Sequence, residues 1–130
     1  MRKRYKRRPE RAVTAVQMTL DFDGLSYTKW GGSQRGKRGD WLVDNQGDVY
    51  TVDADSFAAT YSQQSPGRWL KTAPVWAEQA TAAGQVATKE GHTQHQAGDW
   101  LVSNREDGSD SYAVSAAKFN TLYEPDPEAG

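Results

Sequence analysis

Apolar and polar positions alternate along much of the chain with a period of two, the spacing that turns one face of a strand to a core and the other to water. Ala12, Thr14, Val16, Met18 and Leu20 fall on one side of such an alternation. Leu25, Tyr27 and Lys29 alternate with Ser26, Thr28 and Trp30 and run into Gly31-Gly32, a turn. Trp41-Leu42-Val43 and Val49-Tyr50-Thr51-Val52 flank Asn45-Gln46-Gly47-Asp48, which predicts a hairpin. Asp53 and Ser115 stand where the N-cap of a short helical turn would be. Phe57/Tyr61 and Phe119/Tyr123 then share a face at i, i+4 and would close over the sheet. Trp76 to Ala83 is rich in helix formers. It aligns with the strand-like 13–20 segment, however, and is read as strand.

That alignment belongs to an internal repeat. Gly39-Asp40-Trp41-Leu42-Val43-Asp44-Asn45 recurs as Gly98-Asp99-Trp100-Leu101-Val102-Ser103-Asn104. After a loop three residues longer in the second stretch, Tyr50-Thr51-Val52 matches Tyr112-Ala113-Val114, and Phe57 and Tyr61 match Phe119 and Tyr123. Over the two blocks 11 of 19 aligned positions are identical, which excludes coincidence. Gly31-Gly32 corresponds to Glu90-Gly91, and Val13, Ala15 and Gln17 to Val75, Ala77 and Gln79. The organisation expected is a basic N-terminal arm (1–8), a first copy (9–62), a linker (63–72) with a Pro66-Gly67 turn, a second copy (73–124) and an acidic disordered tail (125–130). Two copies are too few for a solenoid. The fold class expected is β-rich α+β: two pseudo-symmetric strand-hairpin-strand-short-helix units sharing one core, as a barrel or as packed sheets.

The 130 residues allow one compact domain, or two very small ones sharing a core, and five Trp, six Tyr and three Phe supply the means to build it despite a mean hydropathy of -0.87. The absence of Cys excludes disulfides and thiolate chemistry. No apolar run approaches a membrane span or a secretory core, so a soluble, cytoplasmic protein without membrane partners is expected. The net charge of -1 conceals a split. Residues 1–38 hold eleven Lys and Arg against Glu10, Asp21 and Asp23, and residues 39–130 hold five against fourteen carboxylates. Arg2, Lys3, Arg4, Lys6, Arg7, Arg8 and Arg11, with Arg35, Lys37 and Arg38, could neutralise phosphates, and Tyr5 could stack on a base. The competing reading folds them back on the acidic remainder.

Gly39-Asp40 and Gly98-Asp99 make sense as turns entering a strand, the glycine taking a positive φ and the carboxylate accepting backbone N–H groups. The sharper alternative makes Asp40 and Asp99 a carboxylate pair for acid–base work or metal binding. Trp41 and Trp100 are expected in the core. Tyr50, Tyr61, Tyr112 and Tyr123 need hydroxyl partners there, for which the repeated Asp is one candidate. His92 and His95, three apart on a predicted strand, point to opposite faces and lack a third ligand, so neither a metal nor another cofactor is expected. No phosphate loop, G-x-S-x-G elbow or His-Glu-x-x-His is present.

Laid out in this way, Gly39-Asp40-Trp41-Leu42-Val43 with Tyr50-Thr51-Val52 and Phe57…Tyr61, and its second occurrence, resemble small bacterial and phage proteins of the PGDYG type. Tyr5-Lys6-Arg7-Arg8-Pro9 before Ala15-Val16-Gln17 resembles the start of phage-encoded relatives, and Pro74-Val75-Trp76-Ala77-Glu78-Gln79 a second version of it. Arg38 and Ala97 replace the proline that usually precedes Gly-Asp, and Trp replaces the commoner Tyr. The resemblance implies a phage or prophage origin and carries no activity with it. The leading expectation is a non-catalytic binding or accessory protein with a protein partner of unspecified kind. The alternative is nucleic-acid binding through the basic residues, and the third is a ligand or enzyme site between the copies. Open strand edges leave homo-oligomerisation as a further expectation.

Overall fold

A computed structural model describes residues 2–126, so the part of the expected acidic tail from residue 127 onward lies outside the described residues. Fourteen strands and two short helices are described, and the sheets pack together without closing into a barrel. In order, the elements are β1 (Lys3–Arg7), β2 (Val13–Gln17), β3 (Leu25–Lys29), β4 (Gly32–Gly36), β5 (Trp41–Asn45), β6 (Asp48–Val52) and α1 (Ala54–Thr60). There follow β7 (Tyr61–Ser65), β8 (Arg68–Lys71), β9 (Val75–Gln79), β10 (Gly84–Ala87), β11 (His92–His95), β12 (Trp100–Ser103), β13 (Ser111–Val114), α2 (Ala116–Leu122) and β14 (Tyr123–Pro125).

Two five-stranded antiparallel sheets carry the fold. One runs β6-β5-β2-β8-β7 and the other β13-β12-β9-β1-β14. The hairpins β3-β4 and β10-β11 form separate two-stranded sheets, joined by a bridge between Gln34 and Gly91. Within each large sheet the Gly-Asp-Trp strand (β5 or β12) lies between the Tyr-x-Val strand and the Val-x-Ala strand (β2 or β9).

The segment expected as a free basic arm is strand β1. Lys3, Arg4 and Tyr5 pair with Ala77, Trp76 and Val75, while Tyr5, Lys6 and Arg7 pair with Pro125, Glu124 and Tyr123. Alternation explains why so basic a segment enters a sheet. Tyr5 faces inward onto Trp100 and Phe119, at ring centroid distances of 5.5 and 5.0 Å, and Arg7 lies on the same side. The expected linker is likewise structured. Residues 61–71 form the β7-β8 hairpin, and the Gly67 carbonyl accepts from the Ala15 N–H at 3.0 Å. The start of the expected tail is also ordered: Pro125 closes β14, and Asp126 is buried against Arg4.

The apolar core is two clusters rather than one. Val13, Ala15, Val43, Phe57 and Tyr61 form the first, flanked by Trp41, Tyr50, Val52 and Trp69. Val75, Ala77, Val102, Phe119 and Tyr123 form the second, flanked by Tyr5, Trp100, Tyr112, Val114 and Leu122. The inward side of β2 is therefore Val13 and Ala15, and the alternate set expected inside is not: Val16 is 59% exposed and Leu20 74%. Ring area decides this. Phe57 stacks on Trp41 at 4.1 Å and meets Trp69 at 5.1 Å, which leaves room beneath for small side chains only. Stacking of Phe119 on Trp100 at 4.0 Å does the same above Val75 and Ala77.

Asp53 caps α1 by accepting from the Asp55 and Ser56 N–H groups, and Ser115 caps α2 by accepting from Lys118. Each seven-residue helix ends where its chain becomes extended again, at Tyr61 or Tyr123. The i, i+4 stacking of Phe57 on Tyr61 (4.4 Å) and of Phe119 on Tyr123 (5.1 Å) follows from that geometry.

Candidate functional site

The repeated Gly-Asp turns hold the helices to the sheets. Gly39 and Gly98 both adopt φ of 93°, which a Cβ would strain. Asp40, 1% exposed, accepts from the Lys37 N–H (2.8 Å) and ammonium (3.1 Å) with Oδ2, and from the Ala54 N–H at the start of α1 with Oδ1 (3.1 Å). Asp99 accepts from the Gln96 N–H (3.0 Å) and from the Ala116 N–H at the start of α2 (3.2 Å). With their oxygens engaged by turn and helix N–H groups, these carboxylates are placed as structural ties.

The tyrosines of the repeat converge on a cavity that Asp99, but not Asp40, also lines. Tyr61 and Tyr123 begin β7 and β14, opposite Lys71 of β8 and Arg7 of β1. Tyr50 and Tyr112 come from β6 and β13. The four rings, Arg7 and Lys71 line a cavity of about 330 Å³ between the two large sheets, with Val52, Val114 and Leu122 among its apolar walls. The hydroxyl partners are therefore not the repeated Asp residues. Lys71 Nζ donates to the Tyr112 hydroxyl at 2.8 Å, the Tyr112 and Tyr123 hydroxyls share a hydrogen bond at 2.8 Å, and Arg7 donates to the Tyr123 hydroxyl at 3.2 Å. The cations also face rings: the Arg7 guanidinium lies 4.9 Å from the Tyr123 ring centre and Lys71 Nζ 4.8 Å from that of Tyr112.

This chain of hydrogen bonds sets the electrostatics. Burial pushes the Tyr50, Tyr61 and Tyr112 hydroxyls above the usual phenol range. Burial also opposes ionisation of Tyr123, but the Arg7 and Lys71 charges outweigh it and bring Tyr123 down to about 7. Lys71 is lowered by burial. Arg7 is held charged despite burial by the Tyr123 oxygen. Arg7 and Lys71 are only 6% and 5% exposed, and neither forms an ion pair with a carboxylate among the described residues. The Arg7 Nε has no hydrogen-bond acceptor.

Carboxylates at the cavity wall are already engaged. Asp48 is bracketed by Lys29 (2.8 Å) and Lys118 (2.7 Å), and Asp110 accepts from Ser56 (2.7 Å) and Asn104 (2.9 Å). Glu90 accepts from the Asp53 N–H at 2.8 Å. Burial, then the nearby charges of Asp53, Asp40 and Asp110, raise its carboxyl to about 7.

The remaining basic residues do not gather into one surface. Arg2 pairs with Glu78, Arg4 with Asp126, and Lys6 and Arg8 with Glu124, all on the sheet that contains β1. Arg35 donates to Ser26 of its own hairpin and to the Asp23 carbonyl just ahead of it, Lys37 pairs with Asp40 and Asp53, and Arg38 with Asp21. Arg11 donates to Gln46. Lys3 lies on β1 beside Ala77. Tyr5 is committed to the second core cluster and is unavailable for stacking on a base. His92 and His95 lie on β11, and no cluster of three or more metal-ligating side chains occurs among the described residues. No described helix is long and apolar enough to cross a membrane.

All four tyrosines, Arg7 and a site between the copies are among the sequence expectations, whereas Lys71 and the tyrosine lining of that site are not. One signal was present: Lys71 follows Trp69 at the spacing by which Arg7 follows Tyr5, an aromatic-x-cation pattern ahead of each copy. No protein-family model matches the chain, and neither the curated proteins nor the solved structures include a significant match.

Proposed function

We propose that the protein is a non-catalytic binding protein whose ligand site is the cavity between the two large sheets. The observation that carries this reading is an aromatic-walled space of about 330 Å³ built by both sheets, with polar groups converging on it. Arg7, Lys71, Tyr112 and Tyr123 form a fixed hydrogen-bond network, and Asp40 and Asp99 are held by backbone N–H groups, an arrangement suited to recognition rather than turnover. The same reading takes the two halves as a tandem duplication, of PGDYG type and of phage or prophage ancestry. The common strand order, the two Asp ties and the two Phe-Tyr stacks support the duplication. The pairing of Arg2, Arg4, Lys6, Arg8, Lys37 and Arg38 with carboxylates counts against nucleic acid as the partner.

A ligand-observed NMR screen of small aromatic compounds tests the proposal. Hits should compete for one site and shift the resonances of Tyr50, Tyr61, Tyr112 and Tyr123. Hits that leave those four rings unmoved, or nanomolar binding of DNA or RNA at moderate salt, would overturn it.

A further inference from the structure

Two buried cations, Arg7 and Lys71, line the cavity without an ion-paired carboxylate among the described residues. Arg7 and Lys71 come from strands that hold the same place in the two sheets, next to the Tyr-bearing edge strands β14 and β7. Both are more than nine-tenths buried, and their hydrogen-bond partners in the cavity are phenols rather than carboxylates. One Arg7 nitrogen has no acceptor at all. Withdrawing two cations from water is costly unless opposite charge sits close by. The carboxylates on the cavity wall hydrogen-bond or pair elsewhere: Asp48 with Lys29 and Lys118, Glu90 with the Asp53 N–H, Asp99 with the Gln96 and Ala116 N–H groups, and Asp110, which also acts on Lys71 through space, with Ser56, Asn104 and Lys89. A single ionised phenol would balance only one of the two charges.

We infer that the cavity takes a small ligand bearing an oxyanion, a carboxylate or a phosphate, which accepts hydrogen bonds from Arg7 and Lys71 while its apolar body lies among the four tyrosine rings. The inference rests on the binding reading above and adds the chemical class of the ligand. The guanidinium fork and the ammonium supply donors to such a group, and charge-assisted bonds of this kind are the strong ones. The tyrosine hydroxyls add donors and set the polarity of the walls. A free cation is disfavoured by the same two charges.

Calorimetric titration of the full chain with benzoate, phenyl phosphate, benzamide and phenol separates the two claims. Benzoate or phenyl phosphate should bind at least about tenfold tighter than its neutral counterpart, as expected when a charged hydrogen bond is gained. Lys71→Met should remove most of that preference while leaving benzamide or phenol affinity within about threefold, since the apolar walls are untouched. Arg7→Lys, which keeps the charge but loses the fork, should weaken benzoate less than Lys71→Met does. Whichever of benzoate and phenyl phosphate binds more tightly identifies the headgroup. Equal binding of charged and neutral members would overturn the anion inference and leave the cavity reading standing. No binding of any of the four at millimolar concentration would overturn both.

Discussion

The two large sheets share a strand order and differ in where one strand comes from. In the sheet containing β5, the strand beside β2 is β8, reached by a tight hairpin from β7 within the same half of the chain. In the sheet containing β12, the corresponding place beside β9 is filled by β1, from the other end of the chain. All strands of the first sheet lie between Val13 and Lys71, so that half can be assembled from local contacts. The second half is complete only when the chain's beginning has crossed over to it. Closing so long a loop costs little more in equilibrium terms than closing a short one, because the cost grows only logarithmically with length. It does make the second sheet dependent on distant residues, and it ties the halves together. Charge placement follows from this: the basic β1 lies beside β14, where Glu124 and Asp126 pair with Lys6, Arg8 and Arg4.

Deleting residues 2–8 should break this comparison most severely. It strips the pairing partner from both β9 and β14 and removes Tyr5 from its cluster. Hydrogen exchange should show protection lost across 75–126 and largely kept across 13–71. Uniform protection at the level of the intact chain would mean β1 is dispensable. The next largest effect comes from the stacked phenylalanines, each 1% exposed. Phe57→Ala and Phe119→Ala should each cost about 3–5 kcal/mol in urea denaturation, the usual range for a buried aromatic truncated to alanine. If the halves unfold separately, each variant will lower only its own transition. A single shared transition would instead show them to be one cooperative unit.

The Asp ties offer a finer contrast. Asp40 is almost wholly buried and also holds the Lys37 ammonium, whereas Asp99 is half-buried and accepts only from backbone. Asp40→Ala should cost about 2–3 kcal/mol and Asp99→Ala about 1–2, the difference reflecting the buried charged hydrogen bond. Equal losses would show that the Lys37 contact contributes nothing.

Much of this architecture could be read from the chain, for identifiable reasons. The hairpin around Gln46-Gly47, the two N-caps and the i, i+4 stacks are set by neighbours in sequence, and all are present. What went unread depends on pairing at a distance. Arg2–Arg8 carries the composition of a solvated arm, and pairing with both β9 and β14, inward Tyr5 and Arg7 and the acids Glu124 and Asp126 together make it a strand. The inward face of β2 could not be chosen from alternation, because Val13/Ala15 and Val16/Met18 are equally apolar and the rings overhead decide. A site between the copies was an expectation, but its lining required Lys71 to be placed opposite Tyr61, a pairing created by a hairpin in a segment that reads as a linker.

The turn that opens with Gly31 in the first half has Glu90 in its place in the second, and a pH titration sharpens that difference. Glu90 reaches across to the Asp53 N–H, and its carboxyl is raised to about 7 from a model-peptide value of 4.5. Below about 4.5 both folded and unfolded chains hold the proton and nothing is lost. Between 4.5 and about 7 the unfolded chain releases it first, so stability should fall, by about 1–2 kcal/mol after allowance for partial exposure. Glu90→Gln keeps an acceptor for the Asp53 N–H and should flatten that slope. Asp53 itself is lowered, by its Ser56 N–H bond and Lys89 against the pull of burial, so its contribution is lost only as pH falls through the acid range. A slope that survives Glu90→Gln would assign the titration elsewhere.

The smallest effect is spectroscopic and separates two tyrosines that hold the same place in the two sheets. Tyr123 lies opposite Arg7, and Tyr61 lies opposite Lys71. A guanidinium resists losing its proton on burial more strongly than an ammonium does, and burial lowers Lys71. Tyr123, with both cations acting on it, is brought down to about 7, whereas burial keeps Tyr61 high. Near neutral pH the protein should therefore show a fraction of one tyrosinate absorbance band, lost in Tyr123→Phe and retained in Tyr61→Phe. Because folding depresses both Tyr123 and Lys71, the folded state holds fewer protons than the unfolded between about pH 7 and 10, and stability should rise across that interval. Tyr123→Phe should reduce the rise by removing one of the two groups. A tyrosinate band that persists in Tyr123→Phe, or is lost in Tyr61→Phe, would place the low phenol in the other sheet and reverse the assignment of the two cations.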